Sequence, residues 1–298
     1  MFTKKIIFIN LLLLISFCFL EASGVKCEIH DIVVYVINLD RSPERMKKIK
    51  SLLDTLGIKF TRFPAIDGYN IKIVNLKTNK IEDNKSFHKV CDKNSDYLIS
   101  CGLFSFKYTT TPKIRRLLCC GELGCALSHL SIAKDIVQKG HKLAMILEDD
   151  VVCEKDFKVI FAETLKNTPK DMGILFLDIG LGRSDSSPYF VSPGALLDSF
   201  RQIPGNKYVV RLKENFGVYG LHAYALTLDG AREILKNSRI ITLPIDNHII
   251  SGPAMPNSKK YVARKKMLSL SDEISEIHKM GRNFCVTSKG IIVSKVKQ

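Results

Sequence analysis

LAMILEDDVV, Leu143 to Val152, decides how the rest of the chain is read. Five apolar residues, Leu143 to Leu147, run unbroken into three consecutive carboxylates, Glu148, Asp149 and Asp150. A short apolar run bounded by polar residues suits a strand buried on both faces of an α/β sheet. In open α/β sheets ligands bind outside the carboxyl ends of the strands, which is where this strand delivers its acids. Adjacent carboxylates repel one another and raise their own pKa values unless a cation sits among them. Hard oxygen ligands suit Mg2+ or Mn2+, and such sites take up substrate phosphates. The stretch reads either as a metal–diphosphate site or as a solvated acidic turn after a core strand.

Working outward, GELGCALSHLSIAKDIVQKG (121–140) leads straight into that strand. Leu123, Ala126, Leu127, Leu130, Ala133 and Val137 share one helical face, and Gly140 ends the helix. Further upstream, DIVVYVINLD (31–40) is another apolar strand ending in polar residues. In SPERMKKIKSLLDTLG (42–57), Ser42 fits an N-cap, Pro43 the first helical position and Gly57 the residue after the last turn. Met46, Ile49, Leu53 and Leu56 make its apolar stripe. IKFTRFPAID (58–67), closed by Asp67-Gly68, is a second strand, and the order is that of a βαβ unit. Residues 69–118 are polar and less regular and read as an insertion over one sheet edge.

Downstream, KDFKVIFAETLKN (155–167) suggests a helix and MGILFLDIG (172–180) a core strand. The loop after it carries Gly180 and Gly182, but lacks the third glycine of a phosphate-binding fingerprint. KYVVRLK (207–213) and VYGLHAYALT (218–227) look like paired strands, and DGAREILKN (229–237) a short helix. Residues 251–298 read as a basic, irregular tail.

A chain of 298 residues with 46% hydrophobic and 25% charged content can bury a sizeable core. Its 45 Lys+Arg against 30 Asp+Glu give +15, a balance that favours anionic partners or reflects a generally basic surface. No nucleic-acid-binding motif is present, so nucleic acid is not an expected partner. MFTKK followed by the apolar stretch Ile6–Leu20 and small residues at Ala22, Ser23 and Gly24 reads as a signal peptide or signal anchor over residues 1–24. That places the chain in the secretory pathway or cell envelope, or on the cytoplasmic face of a membrane, with membrane-surface association. Of nine cysteines Cys18 lies in the leader, and no CxxC pair exists. In an exporting compartment Cys91–Cys101 or a bridge to Cys119–Cys120 can form; in cytosol these are small buried hydrophobes.

Four blocks carry a family resemblance: VINLDRSPERM; FPAIDG; GELGCALSHL with ILEDDV; and YALTLDGAREIL followed by LPIDNHI. In kind and order they resemble glycosyltransferase family 25, which contains bacterial lipooligosaccharide galactosyltransferases and collagen hydroxylysine galactosyltransferases. The resemblance covers residues 30–250. It implies an α/β, GT-A-like nucleotide-sugar-binding fold with a mostly parallel central sheet. It also implies an inverting transfer of a hexose, often galactose from UDP-galactose, to a glycan, glycolipid or protein hydroxyl, as in lipopolysaccharide biosynthesis.

On this reading Asp149 and Asp150 hold Mn2+ or Mg2+, with His248 or His222 adding a late ligand and Glu148 a catalytic partner beside the metal. Asn38, Asp40, Arg41 and Arg45 follow the first strand, where this fold places the nucleotide, and an arginine there can grip phosphate. Asp67 and Gly68 touch ribose or base, or simply make a turn. Glu122 and His129, seven residues apart on one helix, share a face that lines the donor pocket, unless Glu122 serves only the helix N-terminus. Asp246 is the expected base for the acceptor hydroxyl, with Asp178 and Glu214 as rivals. Two other readings stay open: a metal-dependent phosphohydrolase using the same acids, and a silent binding protein that keeps the fold.

Overall fold

Val33–Asn38 forms strand β1, Pro43–Thr55 helix α1 and Thr61–Pro64 strand β2, and β1 and β2 run parallel. The βαβ reading stands. Pro43 opens the helix, though the Ser42 side chain makes no capping bond, and Gly57 takes the left-handed φ of 62° that follows the last turn. Ile49 and Leu53 are buried as the stripe requires, and Arg45 is buried beside them. The computed structural model describes residues 32–85, 87, 94–110, 118–180, 200–213, 219–265, 267–270, 284–287 and 290–293. The leader, Cys27, Cys91, Gly182 and Glu214 lie outside these, as does the side chain of Asp178.

The stretch 69–118 is more ordered than its composition suggests. Lys72–Asn75 (β3), Asp96–Ser100 (β4) and Ser105–Thr109 (β5) pair antiparallel into a small sheet. Ile73, Tyr97, Ile99, Phe106 and Tyr108 alternate onto its buried face, a period-two signal diluted by the polar residues between. Helix α2 (Cys120–Lys139) follows and stops at Gly140 (φ 68°). Strand β6 (Leu143–Glu148) comes next, its Ala144 to Leu147 fully buried. Then come β7 (Val151–Cys153), α3 (Phe157–Lys166), β8 (Ile174–Gly180), β9 (Phe200–Arg201), β10 (Val209–Leu212) and β11 (Tyr219–Thr227). Helix α4 (Leu228–Asn237), β12 (Ile240–Ile241), α5 (Ile245–Ile250), β13 (Lys260–Ala263) and β14 (Leu268–Leu270) complete the elements that bear on the site.

The main sheet has the order β2-β1-β6-β11-β8-β13-β10-β9. It is mixed rather than mostly parallel. β1–β2, β1–β6 and β8–β13 run parallel, while β6–β11, β8–β11, β10–β13 and β9–β10 run antiparallel. The strands of KYVVRLK and VYGLHAYALT share this sheet but do not pair, because β8 and β13 lie between them. β13 comes from the stretch read as an irregular tail, and its Tyr261 and Val262 are core residues. A short apolar triplet in basic surroundings carries too little periodicity to show a central strand. Small sheet β12-β5-β4-β3 stands separately.

Two glycines fix how α2 meets the rest. A Cβ on Gly124 would lie 2.5 Å from the Ile66 carbonyl and 2.7 Å from the Gly68 nitrogen, and one on Gly68 only 1.9 Å from the Cys120 carbonyl. Helix and FPAIDG turn therefore touch backbone to backbone. Ser128 Oγ tightens the joint, accepting from Ile66 N at 2.9 Å and donating to the Gly124 carbonyl at 2.8 Å. Alanine would otherwise strengthen a helix interior by up to about 1 kcal/mol. We expect Gly124→Ala instead to cost roughly 1–3 kcal/mol through overpacking, read as a lowered denaturant midpoint. An unchanged or raised midpoint would mean that the joint has slack.

Candidate functional site

The sheet brings three strand ends to one edge. Parallel pairing sets Ile37 of β1 opposite Glu148 of β6, and antiparallel pairing sets Ala223 of β11 opposite Leu147. The start of β11 therefore lies beside the end of β6. Strand β11 is irregular between Tyr219 and Tyr224, and such a bulge re-aims a side chain at a strand edge. Here His222 turns to Glu148, its Nδ1 lying 3.3 Å from Oε2. Gly220 (φ 98°) makes room, since a Cβ there would sit 2.5 Å from His222 Nε2. From α2, His129 Nε2 reaches Glu148 Oε1 at 3.3 Å, and its Nδ1 lies 2.9 Å from the hydroxyl of buried Tyr224. Glu148 thus has one imidazole on each oxygen.

Asp149 and Asp150 face Arg45. Nη1 of Arg45 lies 3.1 Å from Asp149 Oδ1 and Nη2 2.6 Å from Asp150 Oδ2, all three side chains being nearly buried. Asn38 Nδ2 donates to Asp149 Oδ2 at 2.6 Å and to the Ser42 carbonyl at 2.9 Å. Arg62 fixes the amide from the other side, its Nε donating to Asn38 Oδ1 at 2.9 Å. Burial pushes the Asp149 carboxyl up to about 6 against Arg45 and Asn38, with Asp150 and Glu148 adding repulsion. Asp150 is likewise raised, by burial and then by Glu148, with Arg45 opposing. Glu148 goes the other way: burial would raise it, but hydrogen bonds from His129 and His222 hold it well below the usual carboxylate range. One guanidinium thus faces the two aspartates, and both carboxyls stay raised despite it.

The residues present fit a divalent cation. Donor atoms of Glu148, Asp150 and His222 all lie within 4.8 Å of one another, and the two carboxylates are the ligand type that suits Mn2+ or Mg2+. Asp150 Oδ1 is buried with no hydrogen-bond partner, so one lone pair is left unmatched. Asp149, expected as a ligand, is taken up by Asn38 and Arg45, and Glu148 stands in the triad instead. His248 is not in this cluster: it is buried against Ser238 Oγ at 3.2 Å, and burial lowers its pKa to about 4. Its place in LPIDNHI follows from an apolar helix face, since Ile245, Ile249 and Ile250 are buried with it.

A cleft opens between the acids and the FPAIDG turn, with Ile37, Arg45, Gly68, Cys125, His129 and Asp150 among its walls. Asp67 sits at the turn, paired with Arg41 and accepting from Tyr69 N at 3.0 Å, and Arg41 lies over the Tyr69 ring. Asp40 is largely exposed and pairs with Arg62 at 2.5 Å. Glu122 turns back to cap α2, accepting from Cys119 N at 3.0 Å, and is buried there. Asp246, at the start of α5, accepts from Gly220 N at 3.2 Å and from Asn247 N at 2.8 Å. It is tied to the same bulge that aims His222. Arg62, Ser128, Gly220 and Tyr224 were not singled out in the sequence. Tyr224 had a signal, lying two residues from His222 on one strand, the period of a shared face.

A sheet that presents acids at a strand end, over a cleft walled by a βαβ turn and a helix, defines an α/β, GT-A-like glycosyltransferase fold. The sequence profile described as "Glycosyltransferase family 25 (LPS biosynthesis protein)" matches residues 31–249. The chain belongs to that family. It is similar to a "Glycosyltransferase 25 family member" of Anopheles gambiae, 27% identical over 217 residues, which are 72% of this chain and 31% of the relative. It is also similar to "Procollagen galactosyltransferase 1-B" of Xenopus laevis, 25% identical over 220 residues, 72% of this chain and 30% of that one. A third relative is "Inactive glycosyltransferase 25 family member 3" of Homo sapiens, 25% identical over 222 residues, again 72% of this chain and 31% of the relative. The chain spans about a third of the length of these relatives. Five cysteines of the described residues, Cys101, Cys119, Cys120, Cys125 and Cys153, carry unbridged thiols.

Proposed function

We propose that the chain transfers a hexose, galactose first among candidates, from a UDP-sugar to a hydroxyl of a glycan, glycolipid or protein. The observation that carries this reading is the Glu148–Asp150–His222 triad at the cleft of a family 25 chain. A divalent cation there would neutralise charge developing on the diphosphate leaving group. Glu148, Asp150 and His222 would hold it. Arg45 and Asn38 keep Asp149 and Asp150 in place, and Arg45 stays within reach of the cleft that would take the phosphates. The Asp67–Gly68 turn would carry the nucleoside side. The leader pattern of residues 1–24 supports action in an exporting compartment or at a membrane surface. Among the described residues no helix is long and apolar enough to cross a membrane.

Asp246 remains the proposed base. Each of its oxygens already accepts one backbone N–H, which leaves lone pairs for an acceptor hydroxyl. Removing it would lower kcat by about 100-fold or more, the usual share of general-base catalysis, with donor affinity little changed. Steady-state and donor-binding measurements on Asp246→Ala check this. Equal losses in both would mean that Asp246 positions the His222 bulge and takes no proton. The reading as a whole is tested by calorimetry with a panel of UDP-sugars, with and without Mn2+. Selective Mn2+-dependent binding of one of them supports it. No binding of any would return the site to the phosphohydrolase or silent reading.

A further inference from the structure

We propose a second cation site on the cleft wall, formed by Cys125, His129 and Glu148 and suited to a thiophilic divalent ion such as Zn2+. Cys125 and His129 stand four residues apart on α2, which puts them on one face a turn apart. Their donor atoms and a Glu148 oxygen all lie within 4.8 Å of one another. His129 Nε2 and Glu148 Oε1 are 3.3 Å apart, close to the separation of about 3.3 Å that two tetrahedral ligands at about 2.0 Å from zinc adopt. Sulfur, imidazole and one carboxylate is a three-ligand zinc set with a fourth position open to water or ligand. It differs in kind from the all-oxygen-and-imidazole triad of Glu148, Asp150 and His222.

The support behind the ligands is already built. His129 Nδ1 lies 2.9 Å from the hydroxyl of Tyr224, itself buried. When an ion takes the Nε2 lone pair, the ring proton belongs on Nδ1, where Tyr224 Oη accepts it. Such an outer partner is what holds a metal-bound histidine in one tautomer and orientation. The Cys125 thiol gives up its proton to solvent as the ion binds. Glu148 is the hinge of the arrangement, because Oε1 faces His129 and Oε2 faces His222. An ion at Cys125 draws charge from the same carboxylate that the hard-cation triad needs. A soft ion therefore antagonises Mn2+ here. That consequence for turnover rests on the transferase reading, whereas the site itself does not.

Co2+ serves as the spectroscopic probe, titrated into the full chain without any nucleotide sugar. The wild type should show a thiolate-to-cobalt charge-transfer band saturating at one equivalent. Cys125→Ser should lose the band and bind Zn2+ at least about 100-fold more weakly, since even an outer-partner loss costs 10- to 100-fold. Asp150→Asn, outside this ligand set, should keep the band. The proposal is overturned if the wild type gives no band, if the band survives Cys125→Ser, or if Asp150→Asn removes it. Should Cys125→Ser fail to fold, the wild type still decides. Zn2+ should slow carboxymethylation of Cys125 well beyond its effect on Cys101 and Cys153, and uniform or absent protection would refute the site. A missing UDP-sugar interaction would count against the transferase reading and leave these outcomes untouched.

Discussion

Asp150→Asn should lower turnover by about 1,000-fold while leaving the fold nearly as stable as before. The kinetic loss follows from what Asp150 does at the strand end. It contributes a charged oxygen to the Glu148–His222 group, and a buried lone pair there has no other partner. Asparagine keeps the shape and removes the charge. Losing one element of transition-state charge stabilisation costs about 100- to 1,000-fold, and a weakened metal site loses Lewis-acid assistance as well. Stability behaves differently. Burial and the neighbouring Glu148 already raise the Asp150 carboxyl, so its charge is a burden when no cation is present. Arg45 loses one partner but keeps Asp149 at 3.1 Å, and no uncompensated charge is left behind. Kinetics, thermal melting and Mn2+ binding on the same preparation check both halves. Full activity would sink the metal assignment, and a collapsed melting temperature would make Asp150 a structural residue.

The fold was legible where burial is continuous and blurred where it is intermittent. Val33 to Ile37 and Leu143 to Leu147 are unbroken apolar runs, so both read as central strands, and both are. Lys260–Ala263 and the alternating strands of the small sheet spread the same information over short segments flanked by charge, and periodicity could not raise them above the background. Direction was harder still. Nothing local in YGLHAYALT states that it runs antiparallel between β6 and β8, yet that reversal is what carries His222 to Glu148. Among site residues, the acids announced themselves because three adjacent carboxylates at the end of an apolar strand repel one another unless a cation sits among them. Arg45 was visible as a candidate, but its burial was not, since a charged residue on an amphipathic helix normally faces solvent. His248 lies away from the acids, because its neighbours Ile245 and Ile249 put that face of the short helix in the core, which nothing local in LPIDNHI states.

Arg45 carries the second large effect. It is the guanidinium that spans Asp149 and Asp150, at 3.1 and 2.6 Å, and its side chain is 9% exposed. Replacing it by methionine keeps most of the aliphatic packing on α1 and leaves the carboxylates without that counter-charge. Breaking a buried ion pair from one side costs about 3–5 kcal/mol, and we expect Arg45→Met to lose that much in metal-free buffer. Mn2+ should restore much of it, because an ion that binds only the folded state stabilises by mass action. The melting temperature of the variant should therefore rise more with Mn2+ than that of the wild type. The same electrostatics set a pH dependence. Burial raises Asp149 in the fold to about 6, above its ordinary value near 4, so folding takes up a proton between those values. Its contribution is fully present below about pH 4 and is lost as pH rises through about 6, a change on the order of 3 kcal/mol. A cation held at the neighbouring Asp150 disfavours that proton electrostatically, so the Mn2+-induced gain in melting temperature should grow between pH 5 and 7. A gain that stays flat with pH, together with an Arg45→Met variant as stable as wild type without metal, would show that the charge balance of this strand end is set elsewhere.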